Sequence, residues 1–228
     1  MSTAAALPQI PAVLDLIGTA VFALTGALLA ARLRQTFVTM AFFALITGVG
    51  GGSVRDLLIG APVFWVRDPW VAPVCLSVAL LAWFTPHKWW AKNDESKLLE
   101  WADAVGLAAY TVLGTAKALA FGLPPVPAML MGVITGCVGG IIRDVLAGRP
   151  SILMRPEIYV TAAALTSALV AGGAQLGLAN ELVWPVAAMA GFGLRGAAIA
   201  RGLALPGYRR DEINSVQTPA TVDEIYRH

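Results

Sequence analysis

The residues whose types and spacing could bind a ligand belong to a motif that occurs twice, 88 residues apart. Each copy carries a threonine, a run of glycines and an adjacent arginine and aspartate, first in residues 47–62 and again in residues 135–150. Hydroxyl and carbonyl oxygens at such a run can replace the water around a small monovalent cation. We therefore predict an ion pathway at Thr47, Gly48, Gly50, Gly51, Gly52, Ser53, Thr135, Gly136, Gly139 and Gly140.

Glycine clusters of this density weaken a helix. Each glycine is about 1 kcal/mol less favourable than alanine inside a helix, and Gly48, Gly50, Gly51 and Gly52 fall within five residues. A membrane helix can lose its winding only where protein or water satisfies the freed backbone groups. We therefore expect a break in the second and fifth helices, near the middle of the membrane. The alternative is that the glycines only let neighbouring helices pack closely.

The arginine–aspartate pairs follow the glycines directly and predict a clamp. Neighbouring positions on a helix point about 100° apart, so Arg55 is not expected to pair with Asp56, nor Arg143 with Asp144. We expect the pairs to close between the two copies, Arg55 with Asp144 and Arg143 with Asp56, because an unpaired charge is unfavourable inside a membrane. The alternative is that these side chains extend to the membrane surface.

Lys117 is an intramembrane charge without a counterpart in the first copy, where Leu29 occupies the equivalent position. We predict either a gating charge that responds to the membrane potential or a lysine that extends to the outer interface. Asp15 and Asp103 match across the copies, and we interpret them as carboxylates at helix starts, where the helix dipole favours negative charge; the alternative is ion binding. Arg195 is assigned to the cytoplasmic interface or to a subunit contact.

The composition places these motifs in a membrane. Of the 228 residues, 57% are hydrophobic and 13% are charged, whereas about a quarter of a soluble domain is charged. A helix needs about 20 predominantly apolar residues to cross the hydrocarbon. Polar and proline-rich breaks divide the chain into seven predicted spans, at residues 10–31, 36–60, 70–85, 101–121, 126–148, 157–178 and 183–204.

The repeat extends beyond the motif and sets the topology. Across residues 15–67, 17 of 53 positions are identical to those 88 residues later. Three spans in each copy, an odd number, force the second copy to enter the membrane upside down. We predict an all-α membrane protein with a first unit at 10–85, an inverted unit at 98–178, a seventh helix at 183–204 and a cytoplasmic tail at 205–228. Arginine and lysine concentrate in alternate loops, which predicts an N-terminus outside and a C-terminus in the cytoplasm.

Several classes of function lack the residues that they require. No lysine and hydroxyl pair follows the glycine runs as in a phosphate-binding loop, so a nucleotide is not expected as a ligand. No nucleic acid partner is expected either. His87 and His228 lie outside the spans, and Cys75 and Cys137 stand alone, so we expect no metal site. A membrane enzyme would need a nucleophile, a base or a metal cluster inside the spans. We therefore expect no enzymatic activity and no cofactor.

Two three-helix units, each with a glycine run that leads into arginine and aspartate, resemble the prokaryotic members of the trimeric intracellular cation (TRIC) channel family. The likeness covers residues 10–204 and rests on the motifs at 50–56 and 139–144. It implies a homotrimer with one pore in each subunit, bounded by kinked second and fifth helices. It also implies permeation of potassium and sodium ions and a gating role for Lys117. Val138 stands where the first copy has Gly50, which departs from a strict three-glycine run.

These observations predict a cation channel of the plasma membrane, in contact with membrane lipid. The alternative is a secondary transporter of a small neutral solute such as an amino acid, because inverted repeats with broken helices also occur in transporters. Neither glycine run carries a lone titratable carboxylate suited to proton coupling, which favours the channel.

Overall fold

The computed structural model describes residues 12–85, 95–152 and 158–205. Within these ranges the chain forms seven helices of 14 residues or more. They are α1 (Ala12–Arg32), α2 (Phe37–Leu58), α3 (Val71–Phe84), α4 (Glu95–Ala120), α5 (Pro125–Leu146), α6 (Val160–Gln175) and α7 (Asn180–Arg201). A one-turn helix, Phe64–Arg67, lies between α2 and α3. The predicted tail from residue 206 onward, both histidines and most of the charged α3–α4 loop lie outside the described residues.

Polar and proline residues delimit these helices. The Thr36 hydroxyl accepts a hydrogen bond from the Thr39 amide at 3.3 Å and caps the start of α2. Pro125 opens α5, at a position where a backbone N–H would have no helical partner. Gly202 ends α7 with a φ of 64°, a left-handed conformation that disfavours side chains. Local sequence therefore fixes where each apolar segment begins and ends.

Four helices among the described residues, α1, α2, α5 and α7, are long and apolar enough to cross a membrane. α3 and α6 are apolar but only 14 and 16 residues long, and α4 carries four charges between Lys97 and Lys117. The seven helices follow the seven predicted segments in order, with ends within three residues of the prediction. The exception is α4, which begins at residue 95 and not 101.

The helices pack as two similar three-helix units. α1, α2 and α3 contact one another, and so do α4, α5 and α6. The two units meet where α2 packs against α5 and where α1 packs against α4. The main contacts of α7 are with α4 and α6, on the second unit. The duplicated sequence has therefore produced a duplicated packing arrangement.

Contacts between α2 and α5 are reciprocal. A Cβ atom at Gly139 would lie 2.8 Å from the Thr47 carbonyl oxygen, and one at Gly51 would collide with the Thr135 carbonyl. Gly51 and Gly139 are equivalent in the repeat, as are Thr47 and Thr135. Each unit therefore presents the same glycine to the same threonine of the other unit, which is the pattern that a two-fold relation produces.

The contact between α1 and α4 obeys the same rule. A Cβ atom at Gly18 would meet the ring of Tyr110 at 2.6 Å, and one at Gly106 would meet the ring of Phe22 at 3.1 Å. Phe22 and Tyr110 occupy equivalent positions, and their rings stack edge to face with centroids 5.1 Å apart. Two independent helix pairs thus support one approximate two-fold relation between the units.

The predicted break in the second and fifth helices is wrong. Both α2 and α5 are continuous helix through their glycine runs. Every predicted glycine is instead packed, because an added Cβ atom would find another atom within 3.2 Å at Gly48, Gly50, Gly51, Gly52, Gly136, Gly139 and Gly140. Close backbone contact between the helices offsets the low helix propensity of glycine. The glycines therefore do not expose main-chain oxygens to a passage in this conformation.

The substitution Gly139→Ala tests this packing. The added methyl group would meet the Thr47 carbonyl at 2.8 Å, so α2 and α5 would have to separate, and we expect a loss of roughly 1–3 kcal/mol of stability. The measurement is the midpoint of thermal unfolding in detergent. Gly193→Ala is the matched control, since no atom lies within 4 Å of its Cβ position. Equal effects of the two substitutions would contradict a special role for the α2–α5 contact.

Candidate functional site

The first arginine–aspartate pair closes within its own motif. Arg55 Nε donates to Asp56 Oδ1 at 2.8 Å, and both side chains are fully buried. The predicted clamp between the two copies, Arg55 with Asp144 and Arg143 with Asp56, is therefore wrong. The two Cβ atoms diverge on the helix, but the arginine side chain is long enough to curve back to the neighbouring carboxylate. The guanidinium also lies 5.9 Å from the centroid of the Phe64 ring.

Asp56 joins two further elements, and Arg55 faces a third. Lys117 Nζ of α4 lies 2.9 Å from Asp56 Oδ1, the oxygen that also accepts from Arg55. The Phe64 amide of the one-turn helix donates to Oδ2 at 2.9 Å. Asp15 of α1 stands farther away, with Oδ1 3.9 Å from Arg55 Nη1. We name Asp15, Arg55, Asp56 and Lys117 the first cluster; its two positive and two negative formal charges cancel.

The second cluster, Asp103, Arg143 and Asp144, has the same internal plan. Arg143 Nε donates to Asp144 Oδ1 at 3.0 Å, and Arg143 Nη1 donates to Asp103 Oδ1 at 2.9 Å. The Ile152 amide, eight residues after Asp144, donates to Oδ2 of that aspartate at 3.2 Å. A cavity of about 80 Å³ lies beside this cluster, and its lining includes Arg32, Glu100 and Arg149.

The two clusters differ at one position of the repeat. Lys117 of the first cluster corresponds to Leu29, which is fully buried. Arg143 holds Asp103, on the neighbouring helix of its own unit, at 2.9 Å. The corresponding distance in the first cluster, from Arg55 to Asp15, is 3.9 Å. Lys117 is therefore the added group of the first cluster, and it links α4 of the second unit to α2 of the first.

The hydroxyl groups predicted as cation ligands have other partners. Ser53 Oγ donates to the carbonyl four residues earlier at 2.7 Å and accepts from Trp65 Nε1 at 2.8 Å. Thr135 Oγ1 also donates to the carbonyl four residues earlier, a common arrangement for these residues in membrane helices. Thr47 is buried, and its hydroxyl has no hydrogen-bond partner. Of the three hydroxyls, only that of Thr47 has no hydrogen bond of its own.

Each copy of the repeat matches a known protein family. A family model described as a glycine transporter matches the chain twice, at residues 12–87 and 100–175, again 88 residues apart. The UPF0126 inner membrane protein YadS of Escherichia coli K12 is 42% identical over 150 residues, which cover 65% of this chain and 72% of that relative. A UPF0126 membrane protein of Vibrio cholerae is 42% identical over 155 residues, covering 65% of this chain and 62% of that relative.

The solved structure of the TRIC trimeric intracellular cation channel orthologue from Rhodobacter sphaeroides has the same fold, with a TM-score of 0.80. It is 39% identical, and the match covers 84% of this chain and 98% of that one. The chain belongs to the prokaryotic TRIC channel family. A second prokaryotic TRIC channel, solved in 0.5 M KCl, is 27% identical over 85% of this chain and 98% of its own, with a TM-score of 0.78.

TRIC membership places this chain among multi-pass membrane proteins. Its relatives are named as membrane and inner membrane proteins, and its long apolar helices agree with that environment. The solved structures that it resembles are ion channels and not enzymes. The buried charges of both clusters therefore lie in a membrane protein, where an ion needs a partner of opposite charge.

Tyr110 is a site residue of this TRIC protein that sequence reasoning missed. Its hydroxyl donates to the Gly48 carbonyl at 3.0 Å and lies 2.7 Å from Thr19 Oγ1, so it ties α4 to α2 and α1. The available signal was the repeat, because the equivalent residue is Phe22 and only one copy carries the hydroxyl. A hydroxyl that one copy lacks has no role in the packing that both copies share.

The two repeated aspartates do more than the predicted helix capping. Asp103 is the ninth residue of α4, so the prediction of a helix-start carboxylate is wrong, and its partner is Arg143. Asp15 does lie in the first turn of α1, but it also faces Arg55. The signal was that Asp15 and Asp103 recur at the same 88-residue spacing as the two arginines. Residues that recur together at one spacing are candidates for mutual contact.

Arg195 of α7 lies inside the subunit. Its exposed fraction is 1%, and its guanidinium carbon lies 5.4 Å from the centroid of the Tyr159 ring. The predicted subunit contact is therefore wrong, because the side chain is buried within its own subunit. A position near the cytoplasmic interface stays a prediction. A cation over an aromatic face is stabilised by the negative charge of the ring surface, which sequence spacing alone does not indicate for residues on different helices.

A double-mutant cycle tests the pairing within the motif. We expect Arg55→Met and Asp56→Asn to couple by more than about 1 kcal/mol, because each removes the partner of the other. Arg55→Met and Asp144→Asn should be additive to within about 0.5 kcal/mol. The measurement is the unfolding free energy from titration with a denaturing detergent. Strong coupling between Arg55 and Asp144 would support the clamp between the two copies and contradict the pairing of Arg55 with Asp56.

Proposed function

We propose that this protein is a homotrimeric channel for monovalent cations, chiefly potassium and sodium, with one pore in each subunit. The observation that carries the proposal is the Lys117–Asp56 ion pair, 2.9 Å long, which joins the two units inside a TRIC fold. A carboxylate that holds a tethered ammonium group in the protein interior has the charge and size preference required for a permeating monovalent cation. The name of the R. sphaeroides orthologue, a trimeric cation channel, supports the same conclusion.

The proposed topology is an inverted pair of three-helix units followed by a seventh span. Residues 10–85 form the first unit, 98–178 the second and 183–204 the last span, with 205–228 as a cytoplasmic tail. The reciprocal contacts of Gly51 and Gly139 support a two-fold axis, and an odd number of spans in each unit makes that axis lie in the membrane plane. The N-terminus is outside and the C-terminus faces the cytoplasm of a plasma membrane, as the loop charges favour.

The proposed pathway follows the boundary between the units, along α2 and α5. Its residues are Thr47, Gly48, Gly50, Gly51, Gly52, Ser53, Thr135, Gly136, Gly139 and Gly140. The glycine contacts are closed in the present conformation, so conduction requires α2 and α5 to bend or slide apart at these positions. Glycine makes such a movement accessible because no side chain has to be repacked. Because α2 and α5 are continuous helices, this pathway does not use main-chain oxygen of an unwound segment.

The proposed gate is the ammonium group of Lys117. In the closed conformation it holds Asp56 beside Arg55. Arg143 and Asp144 are the structural charges of the second cluster. Moving one charge across the full membrane field is worth about 2.3 kcal/mol per 100 mV. Displacement of Lys117 through part of that field would change the ratio of open to closed channels by at most about 50-fold per 100 mV. A permeating cation then takes the place of the lysine beside Asp56.

A transporter of a small zwitterion is the second candidate, and one observation favours it. Arg55 Nη1 and Nη2 and Asp15 Oδ1 are buried without hydrogen-bond partners, and Nη1 stands 3.9 Å from Oδ1. A guanidinium and a carboxylate in this state could receive the carboxylate and the ammonium group of an amino acid. The description of the matching family model as a glycine transporter agrees with that chemistry.

Recordings from purified protein in a planar bilayer test the channel. We expect unitary potassium currents, and a reversal potential under opposed potassium and sodium solutions that shows permeation of both ions. Lys117→Gln should raise the open probability and flatten its voltage dependence, because the variant loses the charge that holds Asp56 and senses the field. Arg67→Gln is the matched control, since that arginine is exposed and should leave gating unchanged.

The same preparation separates the two candidates. Proteoliposomes supplied with labelled glycine in the external solution should show no uptake that depends on the first cluster if the protein is a channel. Glycine uptake that Arg55→Met abolishes, in protein that carries no unitary current, would overturn the channel and favour the transporter. Unchanged voltage dependence in Lys117→Gln would leave conduction standing but remove the lysine from the gate.

A further inference from the structure

A groove of about 240 Å³ opens at one end of the first unit, between α1, α2 and α3. We name it the α1–α3 groove. Its apolar floor consists of Ala31, Met40 and Ala82, and Trp83 stands at its side. Arg34, Gln35 and Thr85 form its polar rim. The groove lies at the opposite end of α1 from Asp15, so it is separate from the first cluster.

The repeat identifies the matching surface on the second unit. The 88-residue register extends through α3 and α6, since Cys75 and Ala163 are both fully buried, as are Ala79 and Ser167. The twofold match of the family model has the same offset up to residues 87 and 175. Floor residues of the α1–α3 groove can therefore be paired with residues of α4, α5 and α6 one by one.

On the second unit this surface is covered by α7. Leu119 and Val170, which correspond to Ala31 and Ala82, belong to one apolar cluster with Trp184 and Ala187 of α7. Gly173 corresponds to Thr85, and a Cβ atom there would meet the Val183 side chain of α7 at 2.6 Å. The residues of the second unit have thus been adapted to a helix that lies on them.

No described helix takes the place of α7 on the first unit. The main contacts of α3 are with α1 and α2 only, and the exposed fraction of Trp83 is 46%. Phe37 holds the indole in place, with ring centroids 5.8 Å apart at an angle of 71°. The α1–α3 groove is therefore a preformed apolar surface that the described part of the chain leaves open.

The rim of the groove has the chemistry of an anion site. Arg34 lies in the left-handed region, with a φ of 52°, and no carboxylate of the described residues lies within 4 Å of its guanidinium. Tryptophan and arginine are the residues that meet lipid headgroups at a membrane interface. We propose that the α1–α3 groove binds one anionic phospholipid per subunit, with an acyl chain on the apolar floor and the phosphate at Arg34.

An acyl chain suits the groove better than another helix. A helix that covered the floor as α7 covers the second unit would have to displace Trp83 and bury the charge of Arg34 without a carboxylate. A lipid tail follows an irregular apolar surface, and its phosphate supplies the missing negative charge. The proposal does not depend on ion conduction, because it concerns a surface on the outside of the first unit.

Native mass spectrometry of delipidated protein in detergent tests the proposal. The probes are phosphatidylglycerol and phosphatidylcholine with the same acyl chains. We expect one phosphatidylglycerol per subunit, bound several-fold more tightly than phosphatidylcholine. Arg34→Gln should weaken the binding of phosphatidylglycerol about fivefold, the effect of one interfacial charge, and leave the binding of phosphatidylcholine unchanged. Arg34→Lys should keep most of the affinity for phosphatidylglycerol. The exposed Arg67 provides the control Arg67→Gln, which should change neither lipid.

Ala82→Trp fills the floor of the groove and should weaken the binding of both lipids tenfold or more. Thr85→Trp, on the exposed rim, serves the same purpose if Ala82→Trp fails to fold, as judged by circular dichroism. Equal binding of the two lipids to the unmodified protein, or equal losses in Arg34→Gln and Arg67→Gln, would overturn the site. Oxidative cross-linking of subunits through Trp83→Cys in native membranes would show that a second copy covers the groove, and would also overturn it.

Discussion

The contact between α2 and α5 is the constraint on which the rest of the structure depends. Gly51 and Gly139 each meet the carbonyl of a threonine on the opposite helix, and neither position has room for a methyl group. One turn farther along each helix lie the arginines of the two clusters. Buried arginine in a membrane protein requires a carboxylate at bonding distance, and each arginine finds one within its own unit. The partner that comes from the other unit is Lys117, which reaches Asp56 because the two units pack closely. The close contact between the units therefore comes first, and the Lys117–Asp56 pair follows from it.

The second general feature is a duplicated plan with a few departures. Both units place an arginine on the adjacent aspartate and a backbone amide eight residues later on the same carboxylate. Lys117 departs from that plan because its counterpart is an aliphatic residue. It gives Asp56 a second cationic partner from across the unit boundary. α7 is the other departure, since it covers one unit and not its counterpart.

Much of this organisation could be predicted from the sequence, because a repeat and apolar periodicity are visible without coordinates. Seven segments, the two units and the family resemblance follow from those signals. The helix break could not be judged correctly, because glycine propensity is local, whereas the compensating contact at Thr135 is 84 residues away from Gly51. The predicted clamp between the two copies was wrong for a similar reason: Cβ directions exclude contact for short side chains, but arginine reaches back over its own helix to Asp56.

The points where the two copies differ separate what the fold demands from what has been added to it. A residue that both copies share, such as the repeated aspartate or glycine, serves packing that both units need. Lys117 and Leu29 occupy equivalent positions, and the fold accepts the leucine, so packing does not require the lysine charge. Gly173 is required where α7 lies on the second unit, whereas Thr85 is tolerated on the open surface of the first. Gly173 is therefore explained by the helix that covers it, whereas the charge of Lys117 has to be explained by function.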